Sequence, residues 1–160
     1  MNEVNDLNNI DMKNFSEMTI ALASDHAGFG LKQAIQLFLE DNGAKVKDFG
    51  CFNTESCDYP DFAHPMAEAI EKGEFEFGIA ICSTGNGITM TCNKHQGIRA
   101  ALCWDTKLAE LARQHNNANV LGLPANFISA VKALDIVRTF FQTDFEGGRH
   151  ERRVNKIAIH

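Results

Sequence analysis

From Met18 onward, short apolar runs alternate with segments of helical spacing. MTIALAS, at 18–24, is the compact apolar run that a strand buried on both faces requires. In AGFGLKQAIQLFLEDNGA the apolar residues Leu31, Ile35, Phe38 and Leu39 fall on one helical face, and Gly43 stops the pattern. KVKDFG reads as a second strand. DYPDFAHPMAEAIEKGE holds a helix expected to start near Phe62 and to end at Gly73. FGIAIC is a third strand and GIRAALCW a fourth. DTKLAELARQHN opens with Asp105 as an N-cap and continues as a helix. ANVLGLP is a fifth strand, and NFISAVKALDIVRTFFQ is a long amphipathic helix. The tail DFEGGRHERRVNKIAIH breaks at Gly-Gly and then offers a basic segment compatible with a helix.

Strands that alternate with helices in this way predict an α/β fold with a parallel sheet. Right-handed crossovers leave few topologies. The expected architecture is an open five-stranded parallel sheet of Rossmann-like order 2-1-3-4-5. Helices should cover both faces, with a C-terminal helical tail. Ligands of such sheets bind beyond the carboxyl ends of the strands, where the strand order reverses. Here that point lies between the first and third strands.

The chain has 160 residues, 44% of them hydrophobic, enough for one domain with a real core. Residues 1–17 are polar and acidic, with little periodicity and no signal-peptide core. They are expected to be a flexible N-terminal extension to a domain at 18–160. A net charge of -6 disfavours nucleic acid and anionic membranes as partners. No apolar run reaches the ~18 residues of a membrane helix. Five cysteines, an odd number without a C-x-x-C, fit reduced thiols better than a disulfide framework. A cytoplasmic location is expected.

Two polar clusters converge on the predicted switch point. The first strand ends in Ser24-Asp25-His26, and the third ends in Cys82-Ser83-Thr84-Gly85-Asn86-Gly87. Asp25 could be an N-cap and His26 a surface residue; beside the second cluster they could instead bind a hydroxyl or an anion. The glycines allow consecutive amides to face one ligand atom, and a following helix would add its positive end. Such a nest holds phosphate or a developing oxyanion, though it also serves as an ordinary strand-to-helix turn. The pattern is neither G-x-G-x-x-G nor a Walker loop, so it supports neither a dinucleotide nor ATP. A thiol at a helix N-terminus ionises more readily and can act as nucleophile or base. Cys92 and Cys103, inside apolar runs, read as structural. His115 and Asn116 end a helix, where a His commonly caps the dipole. Arg149 and Arg153 are four apart and share a face if the tail is helical, which suits a phosphate monoester. A solvated basic terminus would look the same. His95 and His160 carry no role. The histidine spacing implies no metal, and no cofactor is expected.

Together, S-D-H-A-G-F (24–29), D-Y-P (58–60), C-S-T-G-N-G (82–87), N-K-x-x-G-I-R-A (93–100), R-Q-H-N (113–116) and G-G-R-H-x-x-R-V (147–154) resemble the ribose-5-phosphate isomerase B family. The resemblance runs from Met18 to the end. Its wider family includes allose-6-phosphate and galactose-6-phosphate isomerases. The resemblance implies metal-independent interconversion of ribose 5-phosphate and ribulose 5-phosphate through an enediolate. Cys82 would be the base and His115 the proton donor in ring opening. The Ser83, Gly85, Asn86 and Gly87 segment would hold the enediolate oxygen, with Thr84 shuttling a hydroxyl proton. Asp25, His26 and Asn116 would bind sugar oxygens, and Arg149 and Arg153 the phosphate. Some members use a Glu after the glycines as base; Ile88 stands there, which leaves Cys82. Many carry an Arg after the fifth strand; Asn126 stands there, so one phosphate contact is missing or is replaced, for instance by Arg152. The family's site lies between subunits, which implies a homodimer or tetramer. The alternatives are a six-carbon aldose phosphate as substrate, a non-catalytic nucleotide-binding module, or a thiol-redox role without a clear resolving cysteine.

Overall fold

The computed structural model describes residues 15–159. Five parallel strands form one sheet: β1 (Thr19–Ser24), β2 (Lys45–Asp48), β3 (Phe77–Cys82), β4 (Ala100–Leu102) and β5 (Val120–Pro124). Six helices accompany them: α1 (Phe29–Asp41), α2 (Pro60–Glu71), α3 (Asn86–Cys92), α4 (Thr106–Asn116), α5 (Ala130–Gln142) and α6 (Arg149–Val154).

The strand order is β2-β1-β3-β5-β4, so β4 and β5 exchange places relative to the expected 2-1-3-4-5. The α/β class and the parallel sheet stand. Burial explains the exchange. VLGLP is buried along its whole length and takes the inner position, whereas three-residue β4 is half-buried and takes the edge. At the other edge, β2 alternates exposed and half-buried positions, as a strand with one wet flank does. The β1/β3 switch point is unaffected.

The period-2 alternation of the central strands divides the core. Ile20, Leu22, Ile79, Ile81, Leu121 and Leu123 pack on one face with residues of α1, α4 and α5. Ala21, Ala23, Ala80, Cys82 and Val120 pack on the other with residues of α2 and α3. Small strand residues on this second face let α2 approach closely. The Cys82 side chain therefore belongs to the α2/α3 layer.

Helix α2 starts at Pro60, earlier than Phe62, because a proline needs no amide partner in a first turn. Asp105 caps α4 as expected, accepting the Lys107 amide at 2.9 Å. Of the extension expected over 1–17, residues 1–14 lie outside the described residues. Phe15–Glu17 form one 3-10 turn, and Phe15 is buried edge-on against Phe38 and Phe141. All five cysteines are free. Among the described residues no helix is long and apolar enough to cross a membrane.

Candidate active site

Cys82 closes β3 and is 4% exposed. The chain then turns through Ser83, Thr84 and Gly85 into α3. Gly85 has φ 73°, in the left-handed region, and a Cβ there would run into the Leu102 side chain and the Leu123 backbone. Glycine alone meets both demands. The Thr84 hydroxyl accepts the Asn86 amide at 3.2 Å. Asn126 fixes Ser83 twice: its amide donates to the Ser83 carbonyl at 3.0 Å and its Nδ2 to the Ser83 Oγ at 2.7 Å. Asn126 is thus engaged in shaping the turn.

Across the switch point, the Asp25 amide donates to the Ile81 carbonyl at 3.2 Å, tying the end of β1 to the residue before Cys82. Asp25 is 7% exposed, and its Oδ1 accepts the Gly28 amide at 3.1 Å. His26 Nδ1 accepts the Cys57 amide at 3.2 Å, which puts the proton of the neutral ring on Nε2. Asp25 and His26 line a cavity of about 440 Å³ with Cys57, Asp58, Tyr59 and Asp61. On the other flank of the turn, Thr84, Asn86, Leu102, Trp104 and Phe127 wall a second cavity of about 450 Å³.

Sequence reasoning assigned no role to several residues that shape this region. Tyr59 lies so close to Gly87 that a Cβ there would overlap the phenol ring. Lys32 is fully buried, and its ammonium bonds both Asp48 oxygens and the Cys51 carbonyl. Asp48 Oδ1 also accepts the Gly50 amide at 2.8 Å. A buried ammonium persists only with such complete pairing. It anchors the start of the loop whose Cys57 amide orients His26. Only the D-Y-P motif hinted at Tyr59; Lys32 gave no signal at all. Cys92 and Cys103 fit their structural reading: both lie in the core, where burial pushes each thiol up to about 12.

The other candidate residues lie elsewhere. Helix α4 runs from Asp105, near the carboxyl ends of the strands, back to their amino ends, and there carries His115 and Asn116. Along β3 and β5, the pairs Gly78–Val120 and Cys82–Pro124 mark the two edges. At ~3.3 Å per residue these edges are about 13 Å apart. The end of α4 is held firmly. Arg113, 8% exposed, donates to the Thr143 carbonyl, to Asn117 Oδ1 and to the Ala118 carbonyl, and lies over Phe77 and Phe140. Arg99 Nε donates to the Asn117 carbonyl at 2.9 Å. Asn116 lines a cavity of about 270 Å³ with Asn93, Arg99 and Ile157.

The predicted tail helix exists as α6, and it places Arg149 and Arg153 on exposed positions of this same amino edge. His115 lies parallel to His150, with ring centroids 4.3 Å apart and planes at 9°. Burial, then His115 and Arg149, pushes the pKa of His150 below its ordinary value. Glu146 Oε2 is 3.4 Å from His150 Nε2. One chain therefore brings together Asp25, His26 and the Cys82–Gly87 turn at one edge, and His115, Asn116, Arg149 and Arg153 at the other. It does not join the two groups. Chemically, the first group offers a thiol beside a glycine turn. The second offers imidazoles, guanidinium groups and a ligand set, His115, Glu146 and His150, that could hold a metal ion.

The profile of the ribose/galactose isomerase family matches residues 20–157. Ribose-5-phosphate isomerase B of Escherichia coli is 42% identical over 139 residues, covering 87% of this chain and 93% of that protein. The crystal structure of a Thermotoga maritima ribose 5-phosphate isomerase superposes with a TM-score of 0.87 at 48% identity, covering 89% of this chain and 98% of that one. A Mycoplasma genitalium ribose-5-phosphate isomerase B, solved with bound ribulose-5-phosphate, gives 0.84 at 43% identity, covering 88% and 94%.

Proposed function

The chain belongs to the ribose/galactose isomerase family, and from that premise we propose that it interconverts ribose 5-phosphate and ribulose 5-phosphate, with Cys82 as the base. The observation that carries this reading is the position of Cys82: at the end of β3, on a glycine turn, across the switch point from Asp25 and His26. The relatives' names supply the substrate.

The thiolate of Cys82 takes the proton from C2 of the open-chain aldose. The C2–H electrons form the C1–C2 double bond, and the carbonyl electrons move to O1. The resulting enediolate is held by the amides at the start of α3, which lack partners within their helix, the Asn86 amide exchanging its bond to the Thr84 hydroxyl for the oxyanion. Thr84 moves the proton from O2 toward O1. Cys82 then returns its proton to C1, which gives the ketose. Proton transfer next to a carbonyl gains ~10²–10⁴ from a positioned acid or base.

His115, Asn116, Arg149 and Arg153 enter from a second copy of the chain. A two-fold pairing places the amino edge of one copy against the carboxyl edge of the other, and completes two equivalent sites. His115 then donates the proton that opens the sugar ring, Asn116 binds a hydroxyl, and the two arginines hold the phosphate. Exposed Met90, Trp104 and Phe127 on one side, and Ile157 and Ile159 on the other, are apolar surface of the kind a partner covers. No step in this scheme calls for a metal or an organic cofactor.

The test is an isomerase assay over five- and six-carbon aldose phosphates. Ribose 5-phosphate should have the highest kcat/KM. A higher value for allose 6-phosphate or galactose 6-phosphate would move the chain to the six-carbon branch. Full turnover by Cys82→Ala would remove the assignment of the base.

A further inference from the structure

We propose that His115, Glu146 and His150 form a binding site for a divalent transition-metal ion of the zinc class, and that filling it switches the enzyme off. The ligand atoms of the three side chains all lie within 4.8 Å of one another. They come from the end of α4, the loop before α6 and the first turn of α6. His150 is 7% exposed, and its buried Nε2 has no hydrogen-bond partner, although Glu146 Oε2 lies 3.4 Å away. A buried, unpaired ring nitrogen facing a carboxylate is a costly arrangement for a closed core and a useful one for a ligand site. Two imidazoles and one carboxylate, with a position left for water, make a familiar zinc donor set.

The arrangement is near the geometry of a filled site without having reached it. Zinc–nitrogen and zinc–oxygen bonds of ~2.0–2.2 Å place tetrahedral ligands roughly 3.4 Å apart. Glu146 and His150 already stand at that spacing, so the adjustment falls to His115, whose ring must splay from its stack on His150. The second torsion of a histidine is broad, so the splay costs little. Metal binding uses an imidazole lone pair, and the buried, unpartnered Nε2 of His150 offers one. Arg149 and Arg153 oppose an incoming dication, while Glu146 attracts it. Occupancy uses the His115 lone pair and breaks its stack on His150. This consequence rests on the role given to His115 above, and the binding itself does not.

The test uses the full-length, chelator-treated protein. Calorimetric titration with zinc chloride alone should show one ion per chain. Glu146→Gln and His150→Phe should each weaken binding by about tenfold or more; the first is an exposed change, so misfolding does not confuse it. Zinc should inhibit ribose 5-phosphate isomerisation, a chelator should restore it, and Glu146→Gln should retain basal turnover while resisting zinc. Absence of binding, or binding unchanged in both variants because cysteines take the ion, overturns the site. Inhibition that persists in Glu146→Gln overturns the switch. A protein that binds zinc at these residues yet never isomerises ribose 5-phosphate leaves the metal site standing and overturns the functional reading.

Discussion

The two edges of the sheet carry opposite kinds of chemistry. At the carboxyl edge, a buried thiol and a glycine turn sit beside Asp25 and His26, rimmed by exposed Trp104 and Phe127. At the amino edge, Arg149 and Arg153 stand out on α6, and His115 stacks on His150 at the end of α4 that Arg113 pins. Neither edge is a complete site. Among the described residues, the lysines of the thiol edge are paired with carboxylates, Lys32 with Asp48, Lys107 with Glu110 and Lys132 with Asp105, and Asn126 is bonded to Ser83. The basic edge, although it carries imidazoles and a carboxylate, does not include the Cys82–Gly87 turn whose amides would hold an enediolate. On the reading proposed above, the functional unit is a pair of edges from two chains, and each edge should fail in its own way.

The largest effect belongs to the thiol. Cys82→Ala should lower kcat by ~10²–10⁴ with little change in substrate affinity. His115→Ala should be severely impaired as well. Dissociating and remixing these two inactive variants breaks or confirms the pairing directly. In a mixed dimer one site carries both defects and the other carries neither. Random exchange makes half the dimers mixed, so about a quarter of wild-type activity should return. No recovery after verified exchange would mean that each chain builds its own site.

Arg149→Ala comes next. It should chiefly raise KM, by roughly 10- to 150-fold, because a charge-assisted hydrogen bond contributes ~1.5–3 kcal/mol. Lys32 lies at the other edge and is fully buried, so no change there should copy this KM effect without also lowering stability. An unchanged KM in steady-state assays would remove Arg149 from phosphate binding.

This division was only partly visible in the sequence. Runs such as IALA, GIAI and VLGL declare buried strands because their burial is local and continuous. Neighbour order is not local: which of β4 and β5 lies inside depends on the burial of one against the other, and 2-1-3-4-5 was the wrong sequence of neighbours for them. Helix α3 is only seven residues, too short for periodicity to show, and was anticipated only as a possible continuation of the turn. Asp25, His26 and the Cys82 turn were legible because open sheets place ligands at the switch point. The His115–Glu146–His150 cluster was not, because spacing rules see ligands on one element, and these come from two helices and a loop. Nor was Lys32, whose partners Asp48 and Cys51 lie across the fold.

Asn126 sharpens the comparison more gently. Its side chain donates to Ser83 at 2.7 Å, which engages it in the turn. Removing one neutral hydrogen bond costs ~0.5–1.5 kcal/mol, and Asn126→Ala should lower kcat/KM by about 2- to 10-fold. The loss should appear in kcat. A loss confined to KM, like that of Arg149→Ala, would return Asn126 to the phosphate anchor.

The smallest effect tests whether the edges are independent, because α4 spans both. Asp105 caps its carboxyl-edge end through the Lys107 amide and also pairs with Lys132 Nζ at 3.0 Å. His115 sits at the other end, which Arg113 pins separately. Asp105→Ala should therefore shift the urea midpoint slightly downward and leave kcat/KM unchanged. The Lys107 amide, and then Lys132, hold the Asp105 carboxyl below its ordinary pKa. A depressed acid contributes stability above its unfolded pKa and loses it as pH falls through its folded value. The wild type and Asp105→Ala should thus differ at neutral pH and converge in acid. If kcat/KM fell along with the midpoint, α4 would be transmitting strain from one edge to the other, and the edges could no longer be treated as separate parts.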